Sequence, residues 1–204
     1  MKKKVKDTEY FSKRFHGKDE KNVYSDRVLT IPNLMTLSRI VALPVLLWFL
    51  SHMEIYGPMP SMIIGVYMLL SDVFDGLLAK ALKQISFVGA LMDPVVDKLV
   101  INSVAIVLAF EGYVPVWAVV PIFIRDLGIL VFGLRILVDY ETLVTPTIFG
   151  RVTPLAWVCT FAISLMGLET AKWILLGISI ILTLISGGIY FIRYRDLLII
   201  KKQS

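Results

Sequence analysis

The sequence predicts an all-α, polytopic membrane protein of six transmembrane helices preceded by an interfacial N-terminal segment, and three observations carry that prediction. Hydrophobic residues make up 57% of the chain and charged residues 18%, with a mean hydropathy of +0.76, which excludes an ordinary soluble domain. Apolar windows long enough for a helix to cross the hydrocarbon core recur at roughly 34–52, 58–79, 89–110, 115–134, 152–168 and 171–192. Runs such as "WILLGISIILTLISGGIYFI" do not alternate polar and apolar residues at period two, so the spans are not barrel strands.

Residues 1–30 come first, nine Lys and Arg mixed with Tyr10, Phe11, Phe15 and Tyr24. That composition suits a segment lying on an anionic leaflet, or a solvated tail. "TIPNLMTLSRI" opens the first helix, with Pro32 in the first turn, where its missing N–H is harmless. Pro44, Pro94, Pro121 and Pro154 lie in or at the ends of spans, where proline kinks a helix and neighbours must satisfy the freed carbonyls. The connection at 80–88 carries two basic residues (Lys80, Lys83), that at 135–151 two (Arg135, Arg151) and the C-terminal stretch after the sixth span four (Arg193, Arg195, Lys201, Lys202), whereas the other three connections share only Lys172. The positive-inside rule therefore puts both termini and the basic connections in the cytoplasm. The chain divides into the segment 1–30, a membrane domain 31–195 and a tail 196–204, with no repeat and no second domain. Lone Cys159 excludes an internal disulfide framework, isolated His16 and His52 point to no histidine chemistry, and the first 28 residues lack a signal-peptide pattern.

Against this background "SDVFDGLLAKALKQISFVGALMDPVVDK", residues 71–98, is anomalous. An ionised side chain at the bilayer centre costs on the order of 2.5–3.5 kcal/mol, so Asp72, Asp75, Asp93 and Asp97 left unpaired would cost roughly 10 kcal/mol together. That is comparable with the whole stability of an ordinary domain, about 5–15 kcal/mol. Depth and helical geometry bring the four together. The second span runs inward and the third outward, so both pairs reach the cytoplasmic level. At about 100° per residue, and with Asp72 at zero, Asp75 falls at about −60°, Gly76 at about 40°, Ala79 at about −20° and Lys80 at about 80°. On the next helix Gly89, Asp93 and Asp97 fall at about 0°, 40° and 80°. Two facing helices thus direct four carboxylates to one place, with small residues leaving room beside them.

Crowded carboxylates repel each other and take up protons unless cations sit among them. An all-oxygen set favours Mg²⁺ or Mn²⁺ over zinc or copper, and four carboxylates suffice for a pair of ions. Two other readings stand beside this one: interhelical hydrogen bonding around a wet vestibule, and an ion pathway such as a cation transporter. A pathway distributes acids toward mid-membrane or both sides; here all four gather at one interface.

The spacing Asp72, Asp75-Gly76, Ala79-Lys80, Gly89, Asp93, Asp97 resembles the signature of the CDP-alcohol phosphotransferases in seven of eight positions. The eighth differs: Lys80 stands where the family has arginine, keeping the charge and losing the planar fork that grips two phosphate oxygens. The resemblance implies six helices, cytoplasmic termini, a homodimer, and transfer of a phosphatidyl group from CDP-diacylglycerol to an alcohol with release of CMP. It implies that Asp72, Asp75 and Asp93 are the principal metal ligands and that Asp97 is the general base and also a ligand. Gly76, Ala79, Lys80 and Gly89, with Asp72, would line the CDP pocket. "IPNLMTLSRI" and "MDPVVDKL" resemble the phosphatidylglycerophosphate synthase and eukaryotic-type cardiolipin synthase branch. There Asn33 and Thr36 would contact the nucleotide, or would cap and pack the first helix. The leading acceptor is sn-glycerol 3-phosphate, with phosphatidylglycerol or another polar alcohol behind it. A phosphorylated acceptor calls for cations, and Arg125 and Arg151 are the first candidates, ahead of Arg39, Lys98 and Arg135. Arg125 alternatively pairs with Asp126. Membrane lipids are the surroundings, and no nucleic-acid partner is implied.

Overall fold

Because a bilayer offers the backbone no hydrogen bonds, a chain of this composition satisfies its own amides in helices. The computed structural model describes residues 24–25, 31–81, 85–140 and 147–201, and side-chain surroundings for 33–74, 92–133 and 147–192. Seven helices lie among the described residues: α1 Ile31–Leu50, α2 Met53–Tyr56, α3 Met59–Ala81, α4 Phe87–Phe110, α5 Val116–Tyr140, α6 Ile148–Leu165 and α7 Glu169–Lys201. The only strands among them are two-residue stretches, β1 Tyr24–Ser25 and β2 Ile85–Ser86, which pair in parallel. The chain is all-α and polytopic, as its composition predicts.

Four of the long helices are apolar enough over their described residues to cross a membrane, in the windows Asn33–Leu50, Val116–Gly133, Ile148–Leu165 and Glu169–Ile192. The other two long helices carry the acids. In α3 the described apolar stretch is Met59–Phe74, and α4 holds Asp93, Asp97 and Lys98 in its first half. Pro44, Pro94, Pro121 and Pro154 all lie inside helices.

Two helix ends differ from the sequence expectation. The apolar pattern ends the sixth span near 192 and starts a tail at 196, yet α7 runs unbroken to Lys201, 33 residues or roughly 50 Å. Hydropathy marks where lipid ends, whereas a helix continues wherever its backbone bonds are better made than broken. Likewise α5 continues to Tyr140, into the expected connection at 135–151. The short α2, in a stretch expected to belong to the first connection, ends at Gly57 with φ 67°, a left-handed conformation that glycine takes without strain.

Three of the packed pairs are consecutive long helices, α1/α3, α4/α5 and α6/α7, and three skip a helix. α1 packs on α3 and α4, α4 on α5 and α6, α5 on α7, and α6 on α7. The interior is apolar at one end, where Leu43, Leu46, Leu50, Leu108, Val114 and Ile122 are buried together. Elsewhere it is lined with hydroxyls: Thr36, Ser71, Thr153, Thr160, Ser179, Thr183 and Ser186 are all buried. Large apolar residues such as Val41, Ile63, Val66, Ile124 and Leu184 face outward instead. In lipid the hydrophobic effect does not drive helices together, so close-packing small residues and interhelical hydrogen bonds take its place.

Candidate active site

Among the described residues, three of the four acids predicted from residue spacing, Asp72, Asp93 and Asp97, meet against α1. Thr36 and Arg39, one turn apart, are both buried on the side of α1 that faces α3 and α4. From α3 comes Asp72, and from α4 come Asp93 and Asp97. The Arg39 guanidinium joins them: Nη1 donates to Asp72 Oδ1 at 2.6 Å and to Asp97 Oδ1 at 2.5 Å, while Nη2 stands 3.9 Å from Asp93 Oδ1. Thr36 Oγ1 donates to the same Asp93 oxygen at 2.5 Å. The arginine side chain is 3% exposed, but the three aspartates are 42%, 39% and 46% exposed. Each carboxylate therefore has one edge against the buried cation and another open.

Asp75, Gly76, Ala79 and Lys80 lie in α3 and Gly89 in α4, with side-chain surroundings outside the described residues. Asn33 lies one turn before Thr36 on α1. With Arg39 between them, no three His, Cys, Asp or Glu side chains among the described residues form a group ready to hold a metal ion. The donor set nevertheless suits one. It is all oxygen, it converges from two helices, and the single guanidinium charge leaves the three acids with an excess of negative charge.

A second polar cluster adjoins the first, because Lys98 follows Asp97 on α4. Asp126 of α5 is its centre. Arg125 Nη1 donates to Asp126 Oδ1 at 2.7 Å, Lys98 Nζ to the same oxygen at 3.3 Å, and Asn102 Nδ2 to Oδ2 at 2.9 Å. Arg125 Nη2 also reaches Ser186 Oγ of α7 at 3.1 Å and the Gly150 carbonyl of α6 at 3.3 Å. So Arg125 does pair with Asp126, and it is buried. Arg151, the other cation expected at an acceptor phosphate, is exposed at the start of α6, and the side chain of Arg135 lies outside the described residues.

Sequence reasoning missed the role of Arg39, which it ranked only as a lesser phosphate ligand, and the meeting of Lys98 and Asn102 on Asp126. A signal for Arg39 existed: it is the one cation of the first span, a turn beyond Thr36 and at the depth of the acids.

Comparison with known proteins gives a consistent picture. A family model described as CDP-alcohol phosphatidyltransferase matches residues 29–185. The chain is 35% identical over 115 residues to "Cardiolipin synthase (CMP-forming)" of Streptomyces coelicolor, covering 55% of this chain and 54% of that one. It is 30% identical over 174 residues to "Probable phosphatidylglycerophosphate synthase" of Mycobacterium tuberculosis, covering 82% of each. Over 95 residues it is 41% identical to a CDP-diacylglycerol–glycerol-3-phosphate 3-phosphatidyltransferase of Yersinia pestis, covering 46% and 50%. The matches to the first and third of these thus span about half the length of each relative.

Proposed function

Since the chain belongs to the CDP-alcohol phosphatidyltransferase family, we propose that it transfers the phosphatidyl group of CDP-diacylglycerol to sn-glycerol 3-phosphate, yielding phosphatidylglycerophosphate and CMP. The observation that carries this reading is the convergence of Asp72, Asp93 and Asp97 from two helices at one half-open site. The acceptor hydroxyl oxygen attacks the phosphorus that bears the diacylglycerol. A new P–O bond forms, the P–O bond to the nucleotide breaks, and CMP leaves. Asp97 takes the proton of the attacking hydroxyl. Asp72, Asp75, Asp93 and, in part, Asp97 would hold two Mg²⁺ or Mn²⁺ ions, which neutralise charge on the diphosphate when bound. Gly76, Ala79, Lys80 and Gly89, with Asn33 and Thr36, would form the cytidine diphosphate pocket. Arg125 and Arg151 would serve the acceptor phosphate, Arg125 from a position fixed by Asp126 and Ser186. The site would open to the cytoplasmic face, with both termini on that side and a homodimer as the working unit.

A second acceptor, phosphatidylglycerol, is favoured by the likeness to a CMP-forming cardiolipin synthase. Purified protein given CDP-diacylglycerol, Mg²⁺ or Mn²⁺ and a panel of acceptors separates the two by which acceptor supports CMP release. Glycerol 3-phosphate is expected to support it best. No CMP with any acceptor, together with cation flux in liposomes, would overturn the transferase reading.

A further inference from the structure

The established features leave one group without a task in the chemistry: the buried guanidinium amid the acids. A buried arginine is costly unless paired, and three carboxylates together are costly unless neutralised. Here each offsets the other. Nη1 of Arg39 lies between Oδ1 of Asp72 and Oδ1 of Asp97, at 2.6 and 2.5 Å, so it occupies the place of a cation bridging those two oxygens. Mg²⁺ binds oxygen at about 2.0–2.1 Å in near-octahedral geometry, which the same lone pairs cannot satisfy while they accept from Nη1.

We infer that Arg39 is the resident counter-ion of the acid cluster, a positioning residue that holds Asp72 and Asp97 converged without metal and that a divalent ion bridging their two Oδ1 atoms displaces. This rests on the metal-dependent transferase reading above. The guanidinium and the ion compete for the same two oxygens, so the arginine lowers affinity for the free ion and keeps the carboxylates from repelling each other apart. Thr36 meanwhile holds Asp93 by a hydrogen bond of its own.

The test is metal binding rather than turnover. In the full-length protein in detergent or nanodiscs, Mn²⁺ binding is followed by electron paramagnetic resonance without nucleotide. Arg39→Gln is expected to bind Mn²⁺ roughly tenfold or more tightly, because at least one charge-assisted hydrogen bond no longer has to be broken. Its melting temperature in EDTA should fall below wild type and recover with Mn²⁺. Unchanged or weaker Mn²⁺ affinity in a folded Arg39→Gln protein overturns the inference, since an arginine that merely supports the fold cannot hinder metal. Should that variant not fold, wild type still decides: the arginine Nη signal that disappears in Arg39→Lys must shift when Mg²⁺ is titrated, and a signal unmoved at saturating Mg²⁺ overturns displacement. If wild type neither binds Mn²⁺ nor releases CMP, the transferase reading fails and takes this one with it. If it does both while Arg39 is unaffected, only the counter-ion role fails.

Discussion

Asp97 shares one guanidinium nitrogen with Asp72 yet has the most exposed side chain of the three acids, at 46%. A carboxylate braced on one edge and open on the other suits proton transfer at the open edge. Asp97→Asn keeps the size and the brace but cannot take a proton, so nucleotide binding should persist while transfer falls by about 10²–10⁴-fold. Equilibrium binding of a cytidine nucleotide beside CMP-release rates checks both halves, and substantial turnover in the variant would remove Asp97 as the base. At this scale the convergence of Asp72, Asp93 and Asp97 was legible because an α-helix is stiff, so spacing alone fixes which residues share a face. Arg39 was not, because a lone arginine in an apolar span looks the same whether it will meet phosphate or carboxylate. Its partners lie 33 and 58 residues away, and only the packing of α1 on α3 and α4 decides between them.

The helix pair α6 and α7 shows how elements lock without a hydrophobic driving force. Trp157 Nε1 donates to Thr183 Oγ1 at 2.9 Å, Thr160 and Ser179 share a hydrogen bond of 2.9 Å, and Thr153 Oγ1 reaches the Leu182 carbonyl at 3.3 Å. Above this seam the start of α6 is capped by Thr147, whose side chain accepts from Gly150 N. Tyr190 then lies so close to Gly150 that a Cβ there would sit 2.6 Å from the phenol oxygen. Gly150→Ala should therefore cost about 1–3 kcal/mol and loosen the carbonyl that Arg125 holds. Adding Tyr190→Phe should restore most of the loss, which thermal unfolding in detergent measures directly. A stabilised or unchanged Gly150→Ala protein would show that α6 has slack here. None of this was legible in sequence: a glycine near a helix start is commonplace, and the phenol that needs its space is 40 residues on.

Seen whole, the bundle has three links described from helix to helix. The links after α1–α2, after α4 and after α6 are short and turn on glycines in the left-handed region, Gly57, Gly112 and Gly167, with φ of 67°, 78° and 71°. Those are also the links nearly devoid of basic residues, where the charge pattern predicted the outer face. Glu111→Cys in a Cys159→Ala background should accordingly react with an impermeant maleimide in intact cells, and Lys13→Cys only after permeabilisation. The reverse pattern would invert the topology. The number and order of the long helices were legible because hydropathy and length are local properties. The ends of α5 and α7 were not, because they extend past the apolar stretch that hydropathy detects.

The tight links make three helical hairpins, α1/α3, α4/α5 and α6/α7, and neither polar cluster belongs to one hairpin. Arg39 and Asp72 sit in the first, Asp93, Asp97 and Asp126 in the second, and Gly150 and Ser186 in the third. In a bilayer, where every greasy surface matches every other, these split charges act as address labels. The second hairpin is matched to the first by its acids and to the third through Arg125, so the groups proposed for chemistry also tell newly inserted hairpins which neighbour to dock against.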